Sequence, residues 1–342
     1  MPIIFTVLLM FIPLTAISAE NTIVTANLST NRSVDFKPDA AAQGGSHKGN
    51  INVLSWNVSG DAFVKSPEVL KALVARGKSN ILLLDEVSPL TNKSHLYNAL
   101  PKDSLAQNTD WHINFGSSGG RQRNVVISRF PHEVLPEFSN IIPYPKSEKK
   151  RIHQRMINAG DVKYANTLDD GIAVNGVILL EGGNRLLVVS ADLECCGSDP
   201  SSWAEDKRRI EAREIRRLIG KVIERTHVDG IILAGDFNLV STVMPLLILS
   251  GPYSKPHFGL IAAELKHLDG KQTWTWDGRG KKFPSRVMDL VIYSPNRLQL
   301  VGGYIFDPDD ITATEKKSMG IQSLTFSKLS EHLPVITHFE WR

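Results

Sequence analysis

The run Ile231-Ile232-Leu233-Ala234-Gly235-Asp236-Phe237-Asn238 is an apolar strand that ends in two polar side chains two residues apart. On extended chain, side chains at i and i+2 point to the same side. Asp236 and Asn238 are therefore expected to emerge together at the end of a strand. A carboxylate there can hold a hard cation or orient a water, and a neutral amide can fix an oxyanion without adding repulsive charge. An ordinary Asp/Asn turn after a strand is the plain alternative.

Two other apolar runs end in the same way. Ile81-Leu82-Leu83-Leu84 leads into Asp85-Glu86, and Val53-Leu54-Ser55-Trp56 leads into Asn57. Strand alternation sends one carboxylate of the first pair toward a site and the other away, and Glu86 is taken as the inward one. Further strands are predicted at Asn124–Ser128, Ile172–Leu180, Arg185–Ala191 and Val287–Tyr293, bounded by turn residues. Gly182-Gly183 between two of them predicts a β-hairpin. Ser66-Pro67 predicts a helix start, with Ser as N-cap and Pro at the first helical position, running to about Gly77. A longer amphipathic helix is predicted from Ser201 or Ser202 to about Thr226, and another over Ser241 to Leu249. Strands, hairpins and intervening helices in this order fit an α/β protein with two packed mixed sheets.

Two residues near the C-terminus add chemistry. His332, in Ser330-Glu331-His332-Leu333-Pro334, is the best general acid/base because its reference pKa lies near working pH. Asp289 lies within the apolar run Arg286 to Val291, where a half-buried carboxylate needs a partner. A neighbouring imidazole would supply one.

In chain order the sequence offers Trp56-Asn57, Glu86, Ser190-Ala191-Asp192, Gly235-Asp236-Phe237-Asn238, Ser285-Arg286 with Asp289, and Ser330-Glu331-His332-Leu333-Pro334. Arg123-Asn124-Val125-Val126-Ile127-Ser128-Arg129-Phe130-Pro131 adds a strand and its turn. The set resembles the endonuclease/exonuclease/phosphatase superfamily, the deoxyribonuclease I-like metal-dependent phosphoesterases, from about Ile51 to the C-terminus. The resemblance implies a four-layer α/β sandwich, two mixed β-sheets face to face with helices outside. It implies Mg²⁺, or Mn²⁺, held by Glu86 with Asn57 close by and Glu331 in the place of a carboxylate that often helps. Asp236 would orient or deprotonate the attacking water, Asn238 would hold the phosphate, and His332 would act on the scissile phosphate, oriented by Asp289. Arg121, Arg123, Arg286 and Asn124 are the residues expected to contact substrate. The chain departs from the family pattern twice. Ser-Asp-His is here Ser330-Glu331-His332, one methylene longer. Asp192 stands where many members carry His, so it cannot clamp an anion as a cation would. It can bind a second metal, accept a proton or hold water.

Composition bounds the substrate and the compartment. The chain has 342 residues, 42% hydrophobic and 22% charged, enough for a sizeable core. Its net charge of +3 permits a polyanionic substrate without requiring one. Met1 to Ala19 carries no charged side chain and ends Ala16-Ile17-Ser18-Ala19, which is read as a signal peptide with a small-x-small cleavage site; an uncleaved anchor is the alternative. Residues 20–50 read as a flexible leader, and 51–342 as the catalytic domain. The expectation is an exported protein, secreted or periplasmic. Its two cysteines, Cys195 and Cys196, are adjacent, so a vicinal disulfide, two thiols or a link to another chain are all open.

The substrate expected first is nucleic acid, DNA or RNA. The clusters Lys149-Lys150-Arg151, Lys207-Arg208-Arg209, Arg216-Arg217 and Arg279 to Lys282, with Trp274-Thr275-Trp276, carry that reading. A phospholipid or small phosphate ester, cleaved as by a sphingomyelinase, is the alternative, with Trp203 and Phe63 as possible apolar contacts. A binding protein without turnover is the third reading. No protein partner is inferred.

Overall fold

The computed structural model describes residues 50–102, 111–197, 199–240, 242–251, 259–321 and 328–342. The signal peptide and nearly all of the leader read from the sequence lie outside them. The strands are β1 (Ile51–Gly60), β2 (Ile81–Val87), β3 (His112–Phe115), β4 (Arg123–Ser128), β5 (His132–Val134), β6 (Val174–Glu181), β7 (Asn184–Ala191), β8 (Gly230–Asp236), β9 (Ile261–Ala262), β10 (Asp289–Tyr293), β11 (Leu298–Ile305) and β12 (Val335–Trp341). The helices are α1 (Ala62–Lys65), α2 (Pro67–Gly77), α3 (Lys93–Ala99), α4 (Lys146–Asn158), α5 (Trp203–Arg225), α6 (Met244–Ser250) and α7 (Ala313–Ser318).

Two six-stranded mixed sheets result. One runs β11-β12-β1-β2-β4-β3 and the other β5-β6-β7-β8-β10-β9. Alternation along the strands explains how they stack. Ile51, Val53, Ile81, Leu83, Val177, Val188, Ile232, Ala234 and Val291 fill one buried layer between the sheets. Leu82, Leu84 and Val125, of opposite parity, pack with Leu70 and Leu73 of α2. Leu187, Val189, Ile231 and Leu233 pack with Ile152 of α4 and Ile215, Ile219 and Val222 of α5. Helix, sheet, sheet and helix make four layers, as the family resemblance implied.

Local signals hold with particular exceptions. The hairpin closes Glu181 against Asn184, and both glycines take positive φ, 56° and 89°, a conformation that costs glycine little. Ser202 caps α5, its hydroxyl accepting from the Glu205 amide at 3.2 Å. Ser66 precedes Pro67 as expected, yet its side chain makes no capping bond. The third predicted helix starts later than expected, at Met244. Helix α4 escaped the sequence reading because it buries only Ile152 and Met156, among charged residues. The two cysteine Sγ atoms lie 2.7 Å apart at an exposed position. No helix among the described residues is long and apolar enough to cross a membrane.

Candidate active site

The layer between the sheets is apolar along most of its length and polar at one end. Asn57 continues the inward parity of Val53, and Asp85 that of Ile81 and Leu83. Asp236 continues Ile232 and Ala234, and Asp289 precedes Val291. All four side chains are buried. β1 and β2 run parallel, as do β7 and β8, so Asn57, Asp85-Glu86, Asp192 and Asp236 all stand at or just beyond strand C-termini. Antiparallel β10 opens with Asp289 directly across from Asp236. The carboxyl ends of parallel strands are where open α/β sheets bind ligands.

Two backbone features turn the strand ends into a site. Gly235 has φ 136°, and a Cβ there would stand 2.1 Å from the Ala191 carbonyl oxygen. Only glycine lets β8 approach the end of β7 so closely. In β2 the pairing register shifts between Leu84 and Val87, and Glu86 takes φ 55°. This bulge breaks alternation. The sequence expectation that only one of Asp85 and Glu86 points toward the site is therefore corrected. Glu86 meets Asn57, and Asp85 sits buried beneath it, close enough to Asp289 and Asp236 to feel their charge.

Hydrogen bonds fix the set. Asn57 Nδ2 donates to Glu86 Oε1 at 3.0 Å and to Asp236 Oδ2 at 3.3 Å. Its Oδ1 accepts from the Ser59 amide at 3.0 Å, so the amide oxygen faces backbone and the NH₂ faces the carboxylates. Asp236 Oδ1 accepts from the Asn238 amide at 2.9 Å. Asn238, at φ 47°, donates its Nδ2 to the Leu193 carbonyl at 2.9 Å, which ties down the loop that carries Asp192. His332 Nδ1 lies 2.8 Å from Asp289 Oδ2, and its Nε2 lies 3.7 Å from Asp236 Oδ2. Ser330 and Thr275, which stand in motifs read from the sequence but were given no role there, are the supports. Ser330 Oγ donates to the Asn57 carbonyl at 2.7 Å and accepts from the His332 amide at 3.0 Å. Thr275 Oγ1 accepts from the Asp289 amide at 2.8 Å. Their hydrogen-bond partners, on other strands, are not defined by a lone sequence.

The remaining expected residues lie as follows. Glu331 is half exposed and pairs with Lys281, away from the group formed by Glu86, Asp192 and Asp236. Arg123 donates to the carbonyls of Ser88, Pro89 and Thr91, so it holds the loop after β2. Arg286 donates to the Val240 carbonyl at 2.6 Å. Asn124 Nδ2 donates to Ser190 Oγ at 3.0 Å, while its Oδ1 is buried without a partner.

The electrostatics are those of an anion cluster. Burial and the neighbouring Asp289 and Asp236 charges raise Asp85 well above the carboxylate range. Burial, then Glu86 and Asp236, raise Asp192. Burial lifts Asp236 to about 7, opposed by His332. For His332 burial acts against the charged ring, but Asp289 and Asp236 outweigh it and hold the pKa up to about 10. Among the described residues no lysine or arginine forms an ion pair with Asp85, Glu86, Asp192, Asp236 or Asp289; the pairs that reach them come from His332.

Carboxylate oxygens of Glu86, Asp192 and Asp236 lie within 4.8 Å of one another. Three hard oxygen donors in an uncompensated negative cluster fit a hard divalent cation. Asp192 thus stands with Glu86 and Asp236 in one carboxylate cluster.

Comparison with known proteins agrees with this geometry. The family model "Endonuclease/Exonuclease/phosphatase family" matches residues 54–332. TDP2 from Caenorhabditis elegans superposes with a TM-score of 0.54 at 15% identity, covering 85% of this chain and 74% of that one. The human nocturnin catalytic domain with bound sulfate gives 0.52 at 14% identity, covering 86% and 94%. D. rerio TDP2 complexed with single-strand DNA product gives 0.50 at 14% identity, covering 85% and 99%. These likenesses concern the fold. No curated protein sequence matches significantly. The match runs from the core of β1 to His332 and so contains every residue of the buried polar cluster: the chain belongs to the endonuclease/exonuclease/phosphatase family.

Proposed function

We propose that the chain is an exported, Mg²⁺-dependent phosphodiesterase that cleaves nucleic acid. The observation that carries the reading is the convergence of Glu86, Asp192 and Asp236 with the His332–Asp289 pair at one end of the inter-sheet layer. Export rests on the uncharged apolar stretch Met1 to Ala19.

Glu86, Asp192 and Asp236 would hold the cation, Mg²⁺ or Mn²⁺. Bound there, it polarises a phosphate oxygen and offsets the charge that develops during attack. The chain's own groups do the rest. Asp236 Oδ2 accepts a hydrogen bond from the attacking water and aligns it with phosphorus. Asn57, bonded to both Glu86 and Asp236, keeps those carboxylates apart and oriented. Asp289 accepts from His332 Nδ1 and, with its charge, keeps the ring protonated, so Nε2 also carries a proton that faces the site. His332 Nε2–H then stabilises the phosphate and passes its proton toward the leaving oxygen.

Nucleic acid is favoured by the loop between Trp276 and Arg286. Trp276 bridges to His332 in backbone pairing, and Lys281 lies over its ring at 5.1 Å. Phe283 on the same loop is 55% exposed, with Lys282 at 5.7 Å. Aromatic faces beside cations suit stacked bases and their phosphates. The related D. rerio TDP2 was obtained with a single-strand DNA product. The cluster on α5 gives no such support. Lys207 pairs with Glu194 and Glu211, and Arg208 and Arg209 pair with Glu205.

One observation favours a lipid phosphoester instead. Leu90, Val243, Met244, Leu247 and Phe283 are exposed apolar side chains, which the sequence reading had not found as a feature. Initial rates on single-stranded DNA, duplex DNA, RNA and sphingomyelin vesicles in Mg²⁺ decide between the two. The proposal expects nucleic acid to be turned over at least ~10-fold faster, and faster turnover of the vesicles overturns it.

A further inference from the structure

A second group of metal-ligating side chains lies apart from the acid cluster. His267 follows β9 and pairs with Ile305 at the end of β11. Asp307 and Asp310 belong to the turn that comes next, Asp307 Oδ1 accepting from the Asp309 amide at 2.9 Å. Donor atoms of His267, Asp307 and Asp310 all lie within 4.8 Å of one another. The His267 side chain is 1% exposed, that of Asp307 2% and that of Asp310 11%.

The imidazole is fixed. His267 Nε2 lies 2.7 Å from the Trp274 carbonyl and must donate to it. The ring also meets Trp274 edge-on at 4.4 Å. Nδ1 therefore aims between two carboxylates, and it makes no hydrogen bond to either. It stands 3.5 Å from Asp310 Oδ2 and 4.0 Å from Asp307 Oδ2. Asp310 Oδ2 is buried with no hydrogen-bond partner at all. A neutral ring would aim a lone pair at two anions. A protonated ring would draw a carboxylate in, as His332 draws Asp289 to 2.8 Å. At 3.5 Å the His267–Asp310 pair is looser than that one.

The spacing has another explanation. Zinc binds imidazole nitrogen and carboxylate oxygen at about 2.0–2.2 Å, so two ligands on a tetrahedral centre stand about 3.4 Å apart. The two distances from Nδ1, 3.5 and 4.0 Å, are slightly wider than that, so a bound cation would draw the ligands inward. Charge agrees. Arg279 already bonds Asp307 Oδ2 at 3.1 Å and pairs with Asp277 and Asp309, which leaves Asp310 without a cation other than the ring. Asp269, itself paired with Lys271, adds a further negative charge close to Asp310, and its backbone offers that carboxylate a hydrogen bond.

We propose that His267 Nδ1, Asp307 Oδ2 and Asp310 Oδ2 bind a divalent transition cation, Zn²⁺ in the first instance, at a structural site distinct from the acid cluster. One nitrogen with two carboxylates selects Zn²⁺ over Mg²⁺, because imidazole is a poor ligand for the harder ion. The cation ties the turn after β11 to the segment that carries Trp274, Thr275 and Trp276. That segment holds Asp289 through Thr275 and pairs with His332 through Trp276. The site thus clamps one wall of the active centre without touching the reacting atoms.

The full chain, stripped of metal with a chelator, tests the proposal by titration with Zn²⁺ and with Co²⁺ as a spectroscopic probe. Wild type, Glu86→Gln, Asp310→Asn and His267→Gln are compared after circular dichroism has confirmed folding. The expected result is a Co²⁺ visible band and one tight Zn²⁺ equivalent that persist in Glu86→Gln and vanish in Asp310→Asn and His267→Gln. Saturating Zn²⁺ should also raise the Tm of wild type by ~5 °C at a hundredfold excess over Kd, and leave that of Asp310→Asn unmoved. If His267→Gln does not fold, the part-exposed Asp310→Asn decides alone. Equal Zn²⁺ uptake by wild type and Asp310→Asn overturns the site. So does a wild type whose Tm is indifferent to Zn²⁺, the behaviour of a simple imidazolium pair.

Discussion

His332 is held through Nδ1 by Asp289 at 2.8 Å, and this one bond decides which nitrogen meets the substrate. With Nδ1–H donated to Asp289 and the ring protonated, Nε2–H is the free donor, 3.7 Å from Asp236. In the proposed mechanism the acid and the water-orienting carboxylate are therefore immediate neighbours. General acid–base groups contribute about 10²–10⁴ in rate. His332→Ala should lower kcat by that factor with KM changed far less, and Asp289→Asn should fall in the same direction by a smaller factor. Steady-state kinetics of both variants on one phosphodiester check this; an unchanged kcat in His332→Ala removes the role.

Asn57 touches Glu86 and Asp236 at once. Losing it leaves two carboxylates free to turn. Groups that orient metal ligands typically contribute 10–100-fold in affinity or activity. Asn57→Ala should weaken Mg²⁺ binding by about that much while the fold persists. Calorimetric titration of Mg²⁺ into wild type and variant measures it.

The buried carboxylates give the metal-free protein a pH signature. Asp236 is raised to about 7 in the folded state against an ordinary value of 3.8. Between those values the unfolded chain has released a proton that the folded chain keeps, so stability falls as pH rises. His332, raised from 6.5 to about 10, contributes stability that is full below 6.5 and lost as pH passes about 10. The Tm of chelator-treated protein should therefore decline steadily from pH 4 to pH 10. A divalent cation at the acid cluster should flatten the pH 4–7 part, because it favours the ionised carboxylates. A metal-free Tm that rises from pH 4 to pH 7 contradicts these shifts.

Gly235 holds β8 against the end of β7. An added Cβ at φ 136° would meet the Ala191 carbonyl at 2.1 Å, and that atom is backbone. Gly235→Ala should cost ~3 kcal/mol or more and displace Asp236. Denaturant unfolding measures the loss, and a cost below 1 kcal/mol would show that the strands can separate freely.

Much of this was legible in the sequence because inward parity and strand ends are both written there. Asp236 and Asn57 each follow an apolar strand, and Asp289 opens one. The bulge at Asp85-Glu86 was not legible, since alternation allows one inward carboxylate and the backbone places both near the site. Arg123 and Glu331 mark the limit in another way. Their sequence positions are right for a site, yet their side chains are engaged elsewhere, with loop carbonyls and with Lys281. Partner choice of long, charged side chains depends on loops that a single sequence does not define. The positions of Ser330 and Thr275 become meaningful only when the strands around them are assembled.

The most direct measurement is nicking of supercoiled plasmid DNA by the full chain, with and without Mg²⁺, beside an identically prepared His332→Ala. The account predicts nicking that requires Mg²⁺ and is lost in the variant. A folded wild-type protein that leaves DNA, RNA, sphingomyelin and simple phosphodiesters all intact, in Mg²⁺ and in Mn²⁺, would contradict it.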